Sequence, residues 1–172
     1  AAASAAKVLR RDFDDFSSQK NYAISQAAGK WILSMDADER VTPELAVEIS
    51  QAVQGSGVDG YHLLRQNRIF GRWMRHGGND RDYQLRLFRK EKGAFSGSVH
   101  ERVQLEGKAV KLKNPLLHFS TPDISAYMRK LILYASLETG SAAGRSGFGW
   151  KPLRMFFYRY VWKRGFLDDM EG

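Results

Sequence analysis

The stretch "KWILSMDADERVTPE" (residues 30–44) ends an apolar run on two carboxylates, Asp36 and Asp38, one residue apart. Strand periodicity turns alternate residues to the same side, so both would face one ligand. Two close carboxylates repel each other, and burying them unpaired is costly. A divalent cation removes that cost. Mg²⁺ takes one or two carboxylates together with phosphate oxygens, and Mn²⁺ accepts similar ligands. Such a cation would hold a diphosphate and neutralise its charge as it leaves. The plainer alternative is a solvated loop in which Asp38 or Glu39 pairs with Arg40.

The elements around this pair are legible. "FSSQKNYAISQAAGK" reads as a helix, with Ser17 or Ser18 as its cap and Gly29 at its stop. "WILSMD" is too short for a helix and nearly all apolar, as expected of a strand covered on both faces. "VTPELAVEISQAVQGSG" starts with Thr42 as N-cap and Pro43 in the first turn. Helix, buried strand, helix predicts a parallel α/β layer, and in open α/β sheets ligands bind beyond the carboxyl ends of the strands. Further along, "DGYHLLRQNRIF" and "DYQLRLFRK" read as strands, and "SVHERVQLEGKAVKL" as a hairpin around Gly107. "TPDISAYMRKLILYASLETG" is a helix for which Thr121 and Pro122 give the start signal, and "KPLRMFFYRYVWKRGF" is a last helix.

The chain has 172 residues, enough for one domain with a core, and no cysteine, which excludes disulfides and thiolate metal sites. No apolar run reaches the ~20 residues of a spanning helix. Lys and Arg number 27 against 19 Asp and Glu, a net charge of +8 that favours an anionic partner. The sequence starts at Ala1 rather than Met, as a processed or truncated N-terminus would.

"QKN" (19–21), "GKWILSMDADERVTPEL" (29–45), "DYQLRLFRK" (82–90), "GSVHERV" (97–103) and "LLHFS" (116–120) occur in an order and spacing that resemble the family 2 glycosyltransferases of GT-A fold. The bacterial lipopolysaccharide-core β-1,4-glucosyltransferase type is the nearest branch. The resemblance implies a mixed, Rossmann-like sheet with flanking helices. It implies a partial catalytic domain over residues 1–120 and a C-terminal helical region over 121–172. It also implies inverting transfer of a sugar, commonly from UDP-glucose, onto a saccharide or lipid-linked acceptor, with Mg²⁺ or Mn²⁺ as cofactor. On that carry-over Asp38 is the metal ligand, and Asp36 contacts the ribose or the metal. Gln19, Lys20 and Asn21 lie near the nucleotide. Such enzymes have a strand and a nucleotide-binding loop upstream of the equivalent of Phe13, so this chain reads as a piece that lacks its N-terminal part.

Inverting transfer needs a base for the acceptor hydroxyl. Candidates are Asp80, Asp82, His100 and Glu101, with Glu101 first and Asp82 second. Strand alternation would send His100 and Glu101 to opposite faces. His100 would orient the base or contact diphosphate. His118 is either a further metal ligand or a core histidine. Alternation in "QLRLFR" puts Leu85, Leu87 and Arg89 on one side and Arg86 and Phe88 on the other. A guanidinium on the cleft side suits a diphosphate, and Arg86 is taken as that donor contact. "RWMRHGG" (72–78) reads as an acceptor-side loop or an ordinary surface loop.

The last helix carries Leu153, Phe156, Phe157, Tyr160 and Val161 on one face, among Lys151, Arg154, Arg159, Lys163 and Arg164. Basic residues with interfacial aromatics suit a helix in the headgroup layer, here the cytoplasmic face of an inner membrane. Packing on the sheet is the alternative. Two rival functions remain. A haloacid-dehalogenase-type phosphohydrolase also places Asp-x-Asp after an apolar strand, but carries Thr or Val where this chain has Arg40. A non-enzymatic module binding RNA or anionic membrane would fit the charge, yet no RNP-type strand or zinc spacing is present. No nucleic-acid partner is therefore expected.

Overall fold

The computed structural model describes residues 7–97, 101–139 and 150–171. Helix α1 (Phe16–Gln26) begins two or three residues earlier than expected, because Asp15 rather than Ser17 or Ser18 caps it: its Oδ1 accepts from the Ser18 amide at 2.9 Å. The helix stops at Ala27, ahead of Gly29. Strand β1 (Trp31–Leu33) follows, then β2 (Glu39–Val41) and α2 (Pro43–Ala52). Thr42 caps α2 as expected, its hydroxyl accepting from the Leu45 amide at 3.1 Å.

The long strand β3 (Gly60–Ile69) is the spine of the sheet. One edge carries β5 (Tyr83–Arg89) along the first half and β4 (Arg72–Trp73) at the far end, both antiparallel. The other edge carries β8 (Ala109–Lys111) and then β9 (Leu116–Thr121), both parallel. Strand β1 adds antiparallel to β5, and β2 antiparallel to β9. The sheet is therefore mixed, and β1 does not enter the parallel layer that the helix–strand–helix order suggests. β6 (Gly93–Ser96) and β7 (Arg102–Leu105) form a separate antiparallel ribbon. The expected hairpin around Gly107 is absent: β7 pairs back to β6, and β8 goes to β3. Gly107 has φ +138, with the Asp59 carboxylate occupying the space a Cβ would fill.

Both faces of β1 are nonetheless covered. Ile32 packs with Phe88 and Phe95, beside Ile24 and Ala27 of the α1 side. Trp31 and Leu33 lie against a second core of Leu45, Tyr61, Leu63, Leu87, Leu112 and Leu116, roofed by α2. Alternation along β5 assigns Leu87 to one core and Phe88 to the other, as the residue pattern requires. Helix α3 (Ile124–Thr139) is capped by Asp123, whose Oδ1 accepts from the Ala126 amide at 2.7 Å. Thr121 instead ends β9, buried. The C-terminal segment is not one helix. It runs as α4 (Lys151–Phe156), a π-helical turn (Phe157–Trp162) and a 3₁₀ stretch (Gly165–Glu171).

Candidate active site

The loop from β1 to β2 decides where the aspartates point. Asp36 and Asp38 stand on a turn rather than on extended strand, closed by the Glu39 amide donating to the Asp36 carbonyl at 3.1 Å. The two side chains consequently take different partners instead of sharing one face.

Asp36 lies between two cations. Its Oδ2 accepts from Arg86 Nη2 at 2.7 Å, and its Oδ1 from Lys20 Nζ at 3.2 Å. Burial alone would raise this carboxyl, but Arg86 and Lys20 outweigh it and hold it below the ordinary value. Arg86 Nη2 also donates to Oε1 of Glu39 at 2.8 Å, and Glu39 Oε2 accepts from the Asp36 amide at 2.9 Å. The Glu39 side chain is fully enclosed, and burial pushes its carboxyl up despite Arg86. Arg86 is thus the arginine on the site's side of β5. Arg89 faces the other core, its guanidinium over the Trp31 ring. Glu39, read from the sequence only as a candidate partner of Arg40, pairs with Arg86 instead; its signal was the third acid in "DADE".

Lys20 reaches further. Its ammonium is 2.8 Å from Glu101 Oε1, and stands 5.0 Å from the centre of the Phe95 ring. One lysine on α1 therefore joins the first aspartate of the loop to the acid just before β7. Among the described residues the ion pair of Glu101 is with Lys20, rather than with Arg86 or Arg102. Its neighbour His100 lies outside the described residues. Gln19 and Asn21 are engaged structurally: Gln19 Nε2 donates to the Asp12 carbonyl at 2.7 Å, and the Asn21 amide makes bonds of 2.8 and 2.9 Å to the Phe95 backbone.

Asp38 faces β9. Its Oδ2 is 3.4 Å from His118 Nε2. The other ring nitrogen, Nδ1, is 2.7 Å from Asn67 Oδ1, an acceptor, so Nδ1 carries the proton. Burial, with Arg65 adding to it and Asp38 opposing, holds the imidazole below its ordinary value. With the ring neutral and its proton on Nδ1, Nε2 turns a lone pair toward the Asp38 carboxylate. That donor set fits a cation held by one oxygen and one nitrogen, with other positions left for phosphate oxygens. Among the described residues no group of three or more His, Cys, Asp or Glu is gathered for a metal.

Asp82 is fully committed. Oδ2 accepts from Arg65 Nε at 2.8 Å and Asn67 Nδ2 at 3.1 Å, and Oδ1 from Gln84 Nε2 at 2.7 Å. Burial opposes these bonds but does not cancel them, and the carboxyl stays below its ordinary value. The 72–78 loop folds onto the C-terminal segment: Asp168 accepts from the Arg75 and His76 amides at 2.9 and 2.6 Å. Trp73 packs edge-on against Phe119.

A mixed sheet flanked by helices on both faces, with acids gathered at a turn beyond β1, defines a GT-A-like architecture. The family model of Glycosyl transferase family 2 matches residues 3–133, and the chain belongs to that family. Lipopolysaccharide core biosynthesis glycosyltransferase LpsC of Rhizobium meliloti (strain 1021) is 26% identical, the match covering 91% of this chain and 64% of that protein. An uncharacterized glycosyltransferase of Rickettsia felis is 26% identical, over 97% of this chain and 66% of its own length. A TPR repeat-containing protein of Synechococcus elongatus is 36% identical over 41% of this chain and 18% of its length. The chain thus spans no more than about two thirds of these curated relatives.

Proposed function

We propose that this chain is the larger part of an inverting glycosyltransferase that moves a sugar, glucose from UDP-glucose being the first choice, onto a lipopolysaccharide-core or other cell-envelope saccharide. The observation that carries this reading is Lys20, whose ammonium stands between Asp36 and Glu101 and so joins the donor side to a base. In the transfer, Glu101 takes the proton of the acceptor hydroxyl, the acceptor oxygen bonds the anomeric carbon, and the bond from that carbon to the diphosphate breaks. Asp82, held by three donors, orients Asn67 and Gln84 rather than taking the proton. On this reading Asp36 contacts the ribose of the donor, and Arg86 sets Asp36. Asn21 fixes where α1 lies against β6, and hence where Lys20 points, while Gln19 holds the segment ahead of the helix.

Asp38 and His118 would hold Mg²⁺ or Mn²⁺, which supplies charge neutralisation on the departing diphosphate. Titration with UDP, with and without Mn²⁺, tests the reading. Binding should need the metal, and Asp38→Asn should abolish that dependence. Metal-free binding of RNA with a steep salt slope would instead favour the basic-module alternative.

The helical region from Ile124 onward is the membrane-facing part of this reading. No helix among the described residues is long and apolar enough to cross a bilayer. Trp150, Leu153, Phe157, Val161 and Trp162 are exposed, interspersed with Arg154, Arg159 and Arg164. A basic, aromatic, unburied surface suits peripheral attachment to anionic lipid on the cytoplasmic face of the inner membrane, where a lipid-linked acceptor would lie.

A further inference from the structure

The family match ends at residue 133, yet the segment beyond it is bonded to the 72–78 loop, which hydrogen bonds connect to His118. Asp168 is the anchor. Its side chain is 7% exposed; Oδ2 accepts from two successive amides, Arg75 and His76, and Oδ1 lies 2.8 Å from His76 Nδ1. The Gly77 amide adds a bond to the Lys163 carbonyl at 3.0 Å. Gly77 and Gly78, with φ +65 and +98, let the chain turn there.

From this anchor a directional chain of hydrogen bonds runs inward. The His76 carbonyl can only accept, so the group 2.8 Å away must be the Asn79 amide nitrogen. That leaves Asn79 Oδ1 to accept from Asn67 Nδ2 at 2.9 Å. Asn67 Nδ2 also donates to Asp82, which enforces the same orientation. Asn67 Oδ1 is then turned to His118 Nδ1, and the ring proton is fixed on that nitrogen. Reversing any one amide would set two acceptors or two donors against each other.

We propose that Asp168 is a positioning residue for His118: by holding residues 75–77 it aims the His76 carbonyl, sets the Asn79–Asn67 chain, and keeps Nε2 of His118 as a free ligand beside Asp38. The role as cation ligand rests on the metal reading above; the positioning of the ring does not. Partners of this kind, one shell out from a metal ligand, fix tautomer and ring direction and so govern affinity. The C-terminal segment is in this way a structural part of the donor site.

The test reads the tautomer of His118 by nitrogen NMR on the metal-free full chain at neutral pH, and Mn²⁺ affinity by calorimetry. The native protein should show a single Nδ1–H form. Asp168→Ala should give mixed tautomers and Mn²⁺ binding weakened about tenfold. Asn79→Leu cuts the chain while Asp168 stays on His76; Asp82 alone then holds the Asn67 amide, so a smaller shift of the same kind is expected. That variant decides the matter if Asp168→Ala loses its native near-UV dichroism. An unchanged tautomer in Asn79→Leu, or an Nε2–H form in the native protein, overturns the proposal. If the tautomer shifts as expected but no form binds Mn²⁺, the cation reading falls and the positioning role stands.

Discussion

Lys20 Nζ lies 2.8 Å from Glu101 Oε1, tying the first helix to the residue ahead of β7. Neither side chain is buried outright, so the pair adds only about 1 kcal/mol to stability. Its weight is geometric. Lys20→Met should leave the unfolding midpoint nearly unchanged while reducing kcat about a hundredfold, since a base displaced by an ångström loses on that scale. A variant with full kcat would remove Lys20 from the mechanism.

Arg86 is shared by Asp36 and Glu39, and Glu39 has no access to water. Removing the guanidinium leaves a buried carboxyl without its counter-ion. Arg86→Met should destabilise the fold by about 3–5 kcal/mol, read from urea unfolding. Combining it with Glu39→Gln should recover part of that loss. If the double variant is no more stable than the single one, the charge is not the cause.

Asp82 provides a pH handle. Its carboxyl sits below its ordinary value of 3.8 in the folded chain, so folding favours the ionised form. The stabilisation is complete above 3.8 and is lost as pH falls through the lower folded value. Asp82→Asn should therefore lower stability at neutral pH and flatten the acid side of the profile. Urea midpoints measured on both sides of that value check it; parallel profiles for the two proteins would contradict the assignment.

The Trp150 and Trp162 side chains are about four-fifths exposed. With vesicles containing anionic lipid, tryptophan emission should shift to the blue, and high salt should weaken the effect. Phe157→Glu together with Val161→Glu should abolish binding without altering UDP affinity. Equal binding to neutral and anionic vesicles would discard the electrostatic part of the membrane reading.

Gly107 couples the β6–β7 ribbon to the main sheet through a close approach. Asp59 Oδ2 accepts from the Lys108 amide at 3.1 Å in the space beside the glycine. Gly107→Ala should cost about 1–3 kcal/mol, from the positive φ and the displaced carboxylate. Asp59→Ala in the same background should relieve the steric share, and a thermal melt of each variant separates the two.

Periodicity and capping are local, and they were legible for β5 and α2, whereas α1 and α3 are capped by Asp15 and Asp123 rather than by the hydroxyl residues expected. Thr42 and Pro43 start α2 where their chemistry requires. Alternation in β5 puts Arg86 and Phe88 on one side and Leu87 on the other, as its pattern demands. The ordered motifs identify the family without any coordinates. What the residues alone left open was which distant groups meet. Strand alternation misplaced Asp36 and Asp38 because a turn, not a strand, holds them. The pattern around Gly107 is that of a hairpin, yet β8 pairs parallel with β3, since only the returning chain decides which edge is free. Lys20 with Glu101, Asn67 with His118 and Asp168 with His76 are contacts across long separations. A side chain's own spacing carries no record of them, because hydrogen-bond partners at such separations are chosen by how the packed elements close around a common core.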